Sequence, residues 1–149
     1  MASQMLSRWA VLCEIPLRAD DIDAEGRPEE AAIARWLDAA RDRYVRRCDA
    51  LSAAVCSDSV GLLSTRRNAR VIGTISGEEI LVAVSVTEVR PTSFDMAFRL
   101  RSCGKDGRVV LDTKMTCVLT AGASRDALPI SPEIRAGLIA VEKEACAYC

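Results

Sequence analysis

A single amphipathic stretch from Pro28 to about Leu51 dominates this sequence. Ala32, Ile33, Trp36, Leu37, Ala40, Tyr44, Cys48 and Leu51 recur at helical steps and make one apolar stripe. Glu29, Glu30, Arg35, Asp38, Asp42, Arg43, Arg46 and Arg47 occupy the remaining positions. Acids gather at the start and arginines near the end, the sense that the helix dipole favours. Pro28 suits the first turn, where its missing N–H would have had no intrahelical partner. The spacing predicts a long helix with one buried face, and that face needs a partner.

The flanking text supplies one. Trp9–Arg18 alternates, with Trp9, Val11, Cys13, Ile15 and Leu17 on one side, as in a half-buried strand. Ala19–Arg27 is acidic and contains Gly26, and it reads as a loop. After Asp58 the pattern is strand-like. Val60–Ile75 is one stretch interrupted near Arg66-Arg67-Asn68, and Ser76-Gly77-Glu78 is a turn. Glu79–Val89 places Ile80, Val82, Val84 and Val86 on one face. Pro91 marks a break, after which Phe94, Met96, Phe98 and Leu100 alternate with Asp95, Arg99 and Arg101. Cys103–Gly107 reads as a hairpin turn. Val109–Thr120 puts Leu111, Met115, Cys117 and Leu119 inward, and Pro132–Cys146 has the pattern of a terminal helix.

A strand, a long helix, four strands joined by short turns and a small helix define an α+β domain. Its antiparallel sheet is covered by the Ile33–Trp36–Tyr44 stripe. The 149 residues suffice for one such domain, and no repeat or low-complexity linker divides them. No βαβ unit or glycine-rich phosphate loop is present, which argues against a nucleotide-binding α/β fold.

Composition narrows the chemistry further. The chain has no histidine, so a Ser-His-Asp or Cys-His arrangement is excluded within one chain, as is a His-ligated metal. A carboxylate, a thiol or backbone dipoles must carry any reaction. The formal net charge of −1 provides no field for nucleic acid or an anionic membrane. No stretch approaches the roughly 20 apolar residues that span a bilayer, and Met1–Ser7 lacks the basic start of a secretory leader. Seven scattered cysteines, an odd count, fit reduced thiols and a cytoplasmic location. Cys146-Ala-Tyr-Cys149 is a CxxC without a second pair; it is either a metal or redox site or simply the end of a helix.

The segment Asp21-Ile-Asp-Ala-Glu-Gly26, followed by a helix containing Arg35-Trp-Leu-Asp-Ala-Ala40, resembles the 4-hydroxybenzoyl-CoA thioesterase branch of the hotdog superfamily. That branch shows D-x-D-x-x-G after its first strand and then a helix of the form R-W-[LF]-[DE]-x-A. Thr92-Ser-Phe94 and Leu128-Pro-Ile-Ser-Pro132 also fall where the family has similar text. Many members read G-H-[VI]-[NY]-N where this chain reads Gly26-Arg-Pro-Glu-Glu30.

The resemblance implies a hotdog fold, an antiparallel sheet wrapped around one long central helix. It implies hydrolysis of an acyl or aroyl thioester of CoA or acyl carrier protein by a dimer or tetramer, without a metal or bound cofactor. The second Asp of the motif, Asp23, would be the nucleophile or the general base for water. Backbone N–H groups of Glu29, Glu30 and Ala31 would meet the oxyanion at the helix start. An Asp in such a loop can equally be a turn or helix cap that does no chemistry. Asp21 reads as structural. For the CoA phosphates the candidates are Arg66, Arg67 and Arg70, or Arg90, Arg99 and Arg101, with Ser93 near the ligand; strand arginines also commonly just face solvent. Trp36, Phe94, Met96 and Phe98 are core, or core that also lines an acyl pocket. A non-catalytic acyl-thioester binding protein is the other reading, and a hotdog hydratase is disfavoured by the missing histidine.

Overall fold

The computed structural model describes residues 9–57, 59–67, 69–103, 107–122 and 124–147. In chain order they form β1 (Val11–Pro16), α1 (Glu30–Arg47), α2 (Asp49–Cys56), β2 (Val60–Arg66), β3 (Glu79–Val89), β4 (Phe94–Ser102), β5 (Val109–Ala121) and α3 (Pro132–Ala147). The period-two segments pair into one five-stranded sheet, antiparallel throughout, in the order β1-β3-β4-β5-β2. Alternation then does what it must. Ile80, Val82 and Val84 of β3, Phe94, Met96, Phe98 and Leu100 of β4, and Leu111, Met115, Cys117 and Leu119 of β5 share the buried face. The stripe of α1 lies against this face, with Trp36, Leu37, Ala40 and Tyr44 fully buried. Burying each large apolar side chain contributes about 1.5–3 kcal/mol, so the helix is fixed to the sheet along its length. Trp36, Phe94, Met96 and Phe98 all belong to this core.

Two bulges bend the sheet around α1. Between β3 and β4 the pairing slips from Val86↔Met96 to Glu88↔Asp95, leaving Thr87 extra. Between β4 and β5 it slips from Leu100↔Leu111 to Arg101↔Val109, which is why the adjacent Val110 and Leu111 are both fully buried. At the first bulge the Val86 N–H donates to Glu142 of α3 at 3.0 Å, and the same carboxylate oxygen accepts the Tyr44 hydroxyl. The terminal helix is thereby tied to the sheet and to α1 together.

Three expectations change. The helix foreseen from Pro28 to Leu51 begins at Glu30 and breaks at Cys48, whose φ of −107° and ψ of 101° are extended, before α2 resumes at Asp49. Pro28 therefore lies outside the helix, in an isolated bridge with Ile22. The stretch Val60–Ile75 is a strand only to Arg66. Beyond it the chain runs irregularly beside β5, with the Ile72 N–H on the Val110 carbonyl at 2.8 Å, and then crosses to the acidic loop. Asn68, residues 104–106 of the foreseen hairpin turn and Cys149 of the CxxC lie outside the described residues.

Candidate active site

The acidic loop between β1 and α1 is held by its own polar groups. Asp21 is 1% exposed, and its Oδ2 accepts the Arg18 N–H at 2.7 Å and Arg35 Nη2 at 2.6 Å. The Asp21 carbonyl accepts the Glu29 N–H at 2.8 Å, which sets where the helix begins. The Arg35 guanidinium, and after it the Arg18 N–H, hold the Asp21 carboxyl below its ordinary value of 3.8 against the opposing effect of burial. Asp21 is thus the structural anchor of the loop.

Asp23 is exposed and sits in the turn that this anchor supports. Its Oδ1 accepts the N–H groups of Glu25 and Arg27, both at 2.9 Å, and its own N–H donates to the Arg27 carbonyl at 2.9 Å. One oxygen therefore caps the turn, while Oδ2 has no partner among the described residues. Gly26 closes the turn with a φ of 84°. A Cβ there would lie 3.3 Å from the Ile75 carbonyl oxygen, so both backbone conformation and space favour glycine. The Gly26 carbonyl in turn accepts the Ile75 N–H at 2.8 Å, joining the loop to the segment that precedes β3.

The start of α1 stands next in the chain. Glu29 is its N-cap and makes no side-chain cap hydrogen bond. Of the three N–H groups expected to meet an oxyanion, that of Glu29 is occupied by Asp21. Those of Glu30 and Ala31 lie in the open first turn, where a helix has no internal acceptors. The Glu30 carboxylate is paired with Arg66, which offsets the negative charge at this helix end.

Most of the expected phosphate-binding residues have protein partners. Arg66 is engaged by Glu30, and Arg99 is bidentate to Asp112 at 2.8 and 3.0 Å while stacking 5.8 Å from the Trp9 ring centre. Arg90 grips the buried Asp95 at 2.9 and 2.5 Å and donates from Nε to Ser93 Oγ at 2.8 Å. Arg101 donates to the Gly107 carbonyl at 3.1 Å. Ser93 lies beyond the end of β3, whereas the Asp23 loop adjoins its start, where Pro16 pairs with Glu79. At about 3.3 Å per residue, the eleven residues of β3 separate the two within one chain. Arg67 and Arg70 form no ion pair among the described residues, although Arg67 lies near enough to Asp95 to help hold its carboxyl down. Arg67 borders a cavity of about 410 Å³ on the outer sheet face with Trp9, Arg99, Asp112 and Lys114. Arg70 borders a cleft of about 340 Å³ beside the Asp23 loop, and shares it with Arg27. In the sequence Arg27 stands out only as the residue where many members of the resembled branch have histidine, because nothing local places it on one cleft with Arg70.

The thiols are poor candidates for the chemistry. Cys48 and Cys117 are buried, and burial pushes both thiols up, away from the reactive thiolate. The described cysteines Cys13, Cys48, Cys56, Cys103 and Cys117 are all free.

A curled antiparallel sheet around one long helix is the hotdog fold, and solved structures share it closely. A Thermus thermophilus thioesterase complexed with coenzyme A and zinc superposes with a TM-score of 0.72 at 20% identity, over 91% of this chain and 96% of that one. The 1,4-dihydroxy-2-naphthoyl-CoA thioesterase Slr0204 of Synechocystis gives 0.67 at 11% identity, over 86% and 94%. The PA5185 protein of Pseudomonas aeruginosa gives 0.73 at 17% identity, over 90% and 92%. No protein-family profile and no curated protein sequence matches the chain. Among the described residues, no helix is long and apolar enough to cross a membrane.

Proposed function

We propose that this protein is a thioester hydrolase that cleaves an acyl or aroyl group from CoA or acyl carrier protein, with Asp23 as its carboxylate. The observation that carries the reading is the division of labour at Asp23. Oδ1 is fixed by two backbone N–H groups, Oδ2 has no hydrogen-bond partner among the described residues, and the turn ends at Arg27, three positions before α1 begins at Glu30. The fold shared with solved thioesterases supports the reaction class, and the D-x-D-x-x-G motif supports the 4-hydroxybenzoyl-CoA branch.

Oδ2 either attacks the thioester carbonyl, expelling the thiolate and leaving a mixed anhydride for water to cleave, or takes the proton of an attacking water. In both routes the carbonyl oxygen becomes an oxyanion. The Glu30 and Ala31 N–H groups, aided by the helix dipole, are its donors. The residues need no metal or bound cofactor for this. The protein acts in the cytoplasm as a dimer or tetramer, neither on nucleic acid nor at a membrane. The sheet edges β1 and β2, with Leu63 of β2 60% exposed, are consistent with self-association.

The test is release of thiol from short, long and aromatic acyl-CoAs and an acyl-carrier-protein thioester by wild type and Asp23→Asn. A hundredfold loss of kcat, about 2.7 kcal/mol, is expected. Equal activity of the two proteins refutes the assignment of Asp23. The turn-capping role of Oδ1 and the altered Gly26–Glu30 segment favour a second reading, an acyl-thioester binder without turnover. Tight binding of every ligand with hydrolysis of none would establish it.

A further inference from the structure

We infer that the free edge of β1, together with Arg43 and Arg46 of α1, docks an extended acidic segment of a partner protein as an added strand. β1 ends the sheet, and just beyond it the Leu17 N–H donates to the Glu78 carbonyl at 2.8 Å. Antiparallel pairing alternates, so Val11, Cys13 and Ile15 turn their backbone polar groups to β3, in the register Val11↔Val84 to Ile15↔Ile80. Leu12 and Glu14 turn theirs the other way, where no strand lies among the described residues. Each offers one N–H and one C=O, the template that strand addition uses. Pro16 has no N–H and closes the far end, so the template is short. The Leu12 side chain, 55% exposed, provides an apolar contact beside it.

Charge makes the occupant acidic. A cleft of about 330 Å³ opens between β1 and α1, lined by Cys13, Ile15, Ala39, Asp42, Arg43 and Arg46. Asp42 is taken by Arg41 at 3.0 Å, and Arg47 pairs with Glu144 at 3.5 Å. Arg43 and Arg46 are exposed and form no ion pair among the described residues. They stand three positions apart on one helix, where like charges repel. The helix dipole favours Arg46 in the last turn, but Arg43 lies a turn earlier. A carboxylate between the two relieves the repulsion, and the planar guanidinium fork can hold it in two bonds.

Together these features fix the occupant's pattern. Cys13 and Ile15 border the cleft against α1, so Leu12 and Glu14 face the opposite side of the sheet. A strand added antiparallel, the sense of every pair in this sheet, sets alternate side chains over the cleft. Acids at those positions meet Arg43 and Arg46, and branched apolar residues at the others lie beside Leu12. Acids in the second set would face Glu14, so one phase is selected. A second copy of this chain fits poorly, because a two-fold contact sets one patch on itself and brings the same arginines of both copies together. The partner is therefore a different protein whose exposed segment alternates acidic with apolar residues.

The test is calorimetric titration of the full chain with a short blocked peptide that alternates glutamate and valine, and it does not depend on the chain's activity. Wild type should bind it. Arg43→Gln and Arg46→Gln should each weaken binding about tenfold, and together about a hundredfold. Arg47→Gln, a charge-matched control whose arginine is already paired, should change it little. A peptide with lysine in place of glutamate should not bind. N-methylation isolates the backbone part: at the valines, whose N–H groups face the β1 edge, it should abolish binding, and at the glutamates it should be tolerated. Failure of wild type to bind overturns the inference. So does an equal loss in Arg47→Gln, which marks a diffuse field. Indifference to N-methylation at the valines refutes strand addition and leaves only an anion site. If the peptide does not bind and Leu12→Lys dissociates an oligomer, a second copy occupies the edge and the inference falls.

Discussion

Replacing Arg35 with Met would expose how firmly one charge pair holds the turn that carries Asp23. The Asp21 carboxylate is buried, and among the described residues Arg35 and the Arg18 N–H serve its Oδ2. Without the guanidinium, a buried charge is left with one neutral donor. Breaking a buried pair from one side costs about 3–5 kcal/mol. The Arg35 side chain is 34% exposed, so water replaces part of what is lost, and about 2 kcal/mol is the expected destabilisation. The assay is urea unfolding of wild type, Arg35→Met, Asp21→Asn and the double variant at neutral pH. Removing the stranded charge in the double variant should restore stability, with a coupling of about 1–2 kcal/mol. The pH dependence has a definite sign. Because the folded carboxyl titrates below its ordinary 3.8, the pair's contribution is complete above that value and is lost as pH falls through the lowered one. In Arg35→Met this acid loss should shrink. A coupling below about 0.5 kcal/mol in folded variants would refute the reasoning.

Two other perturbations follow from the same kind of reading. Arg90 first, and then the Thr116 hydroxyl, bring the Asp95 carboxyl from an ordinary 3.8 to about 2. Wild type should therefore lose about 2 kcal/mol as pH falls from 4 toward 2, less what solvent at the part-exposed Arg90 removes, and Asp95→Asn should lose almost none of it in urea titrations across that window. At Gly137 of α3, a Cβ would lie 2.7 Å from Cys48 Sγ. Gly137→Ala should lower stability by about 1–2 kcal/mol despite better helix propensity. Adding Cys48→Ala should restore it, and thermal midpoints of the three proteins check both statements.

The strands were legible because their period-two alternation is a direct image of one buried face. Glu79–Val89 appears with the bounds its pattern implies. The break at Cys48 was not, since Leu51 follows at a helical step and stays fully buried, so the stripe continues across a backbone that does not. The end of β2 was hidden for a related reason. Residues 69–75 carry strand-like side chains, but the backbone leaves the ladder to bond to Gly26. Asp21 and Asp23 were legible through the resemblance of their D-x-D-x-x-G segment to the thioesterase branch. Which arginines remain unpaired was not legible, because pairs such as Arg66 with Glu30 and Arg99 with Asp112 form only when distant segments meet. Arg27 and Arg70 meet by the same means and leave no local signature.

The strand order has a kinetic side. β3, β4 and β5 are neighbours in the chain as well as in the sheet, so this meander closes at little entropic cost. β1 must find β3 across the whole of α1 and β2, with Val11 opposite Val84, and β2 must reach past both β3 and β4 to β5, with Val60 opposite Ala121. These two edges carry most of the chain's non-local pairing, the kind that slows folding. The Asp23 loop follows one edge and the Arg70 segment follows the other, so the Asp23 turn and the cleft beside it take shape only after the slowest searches have ended.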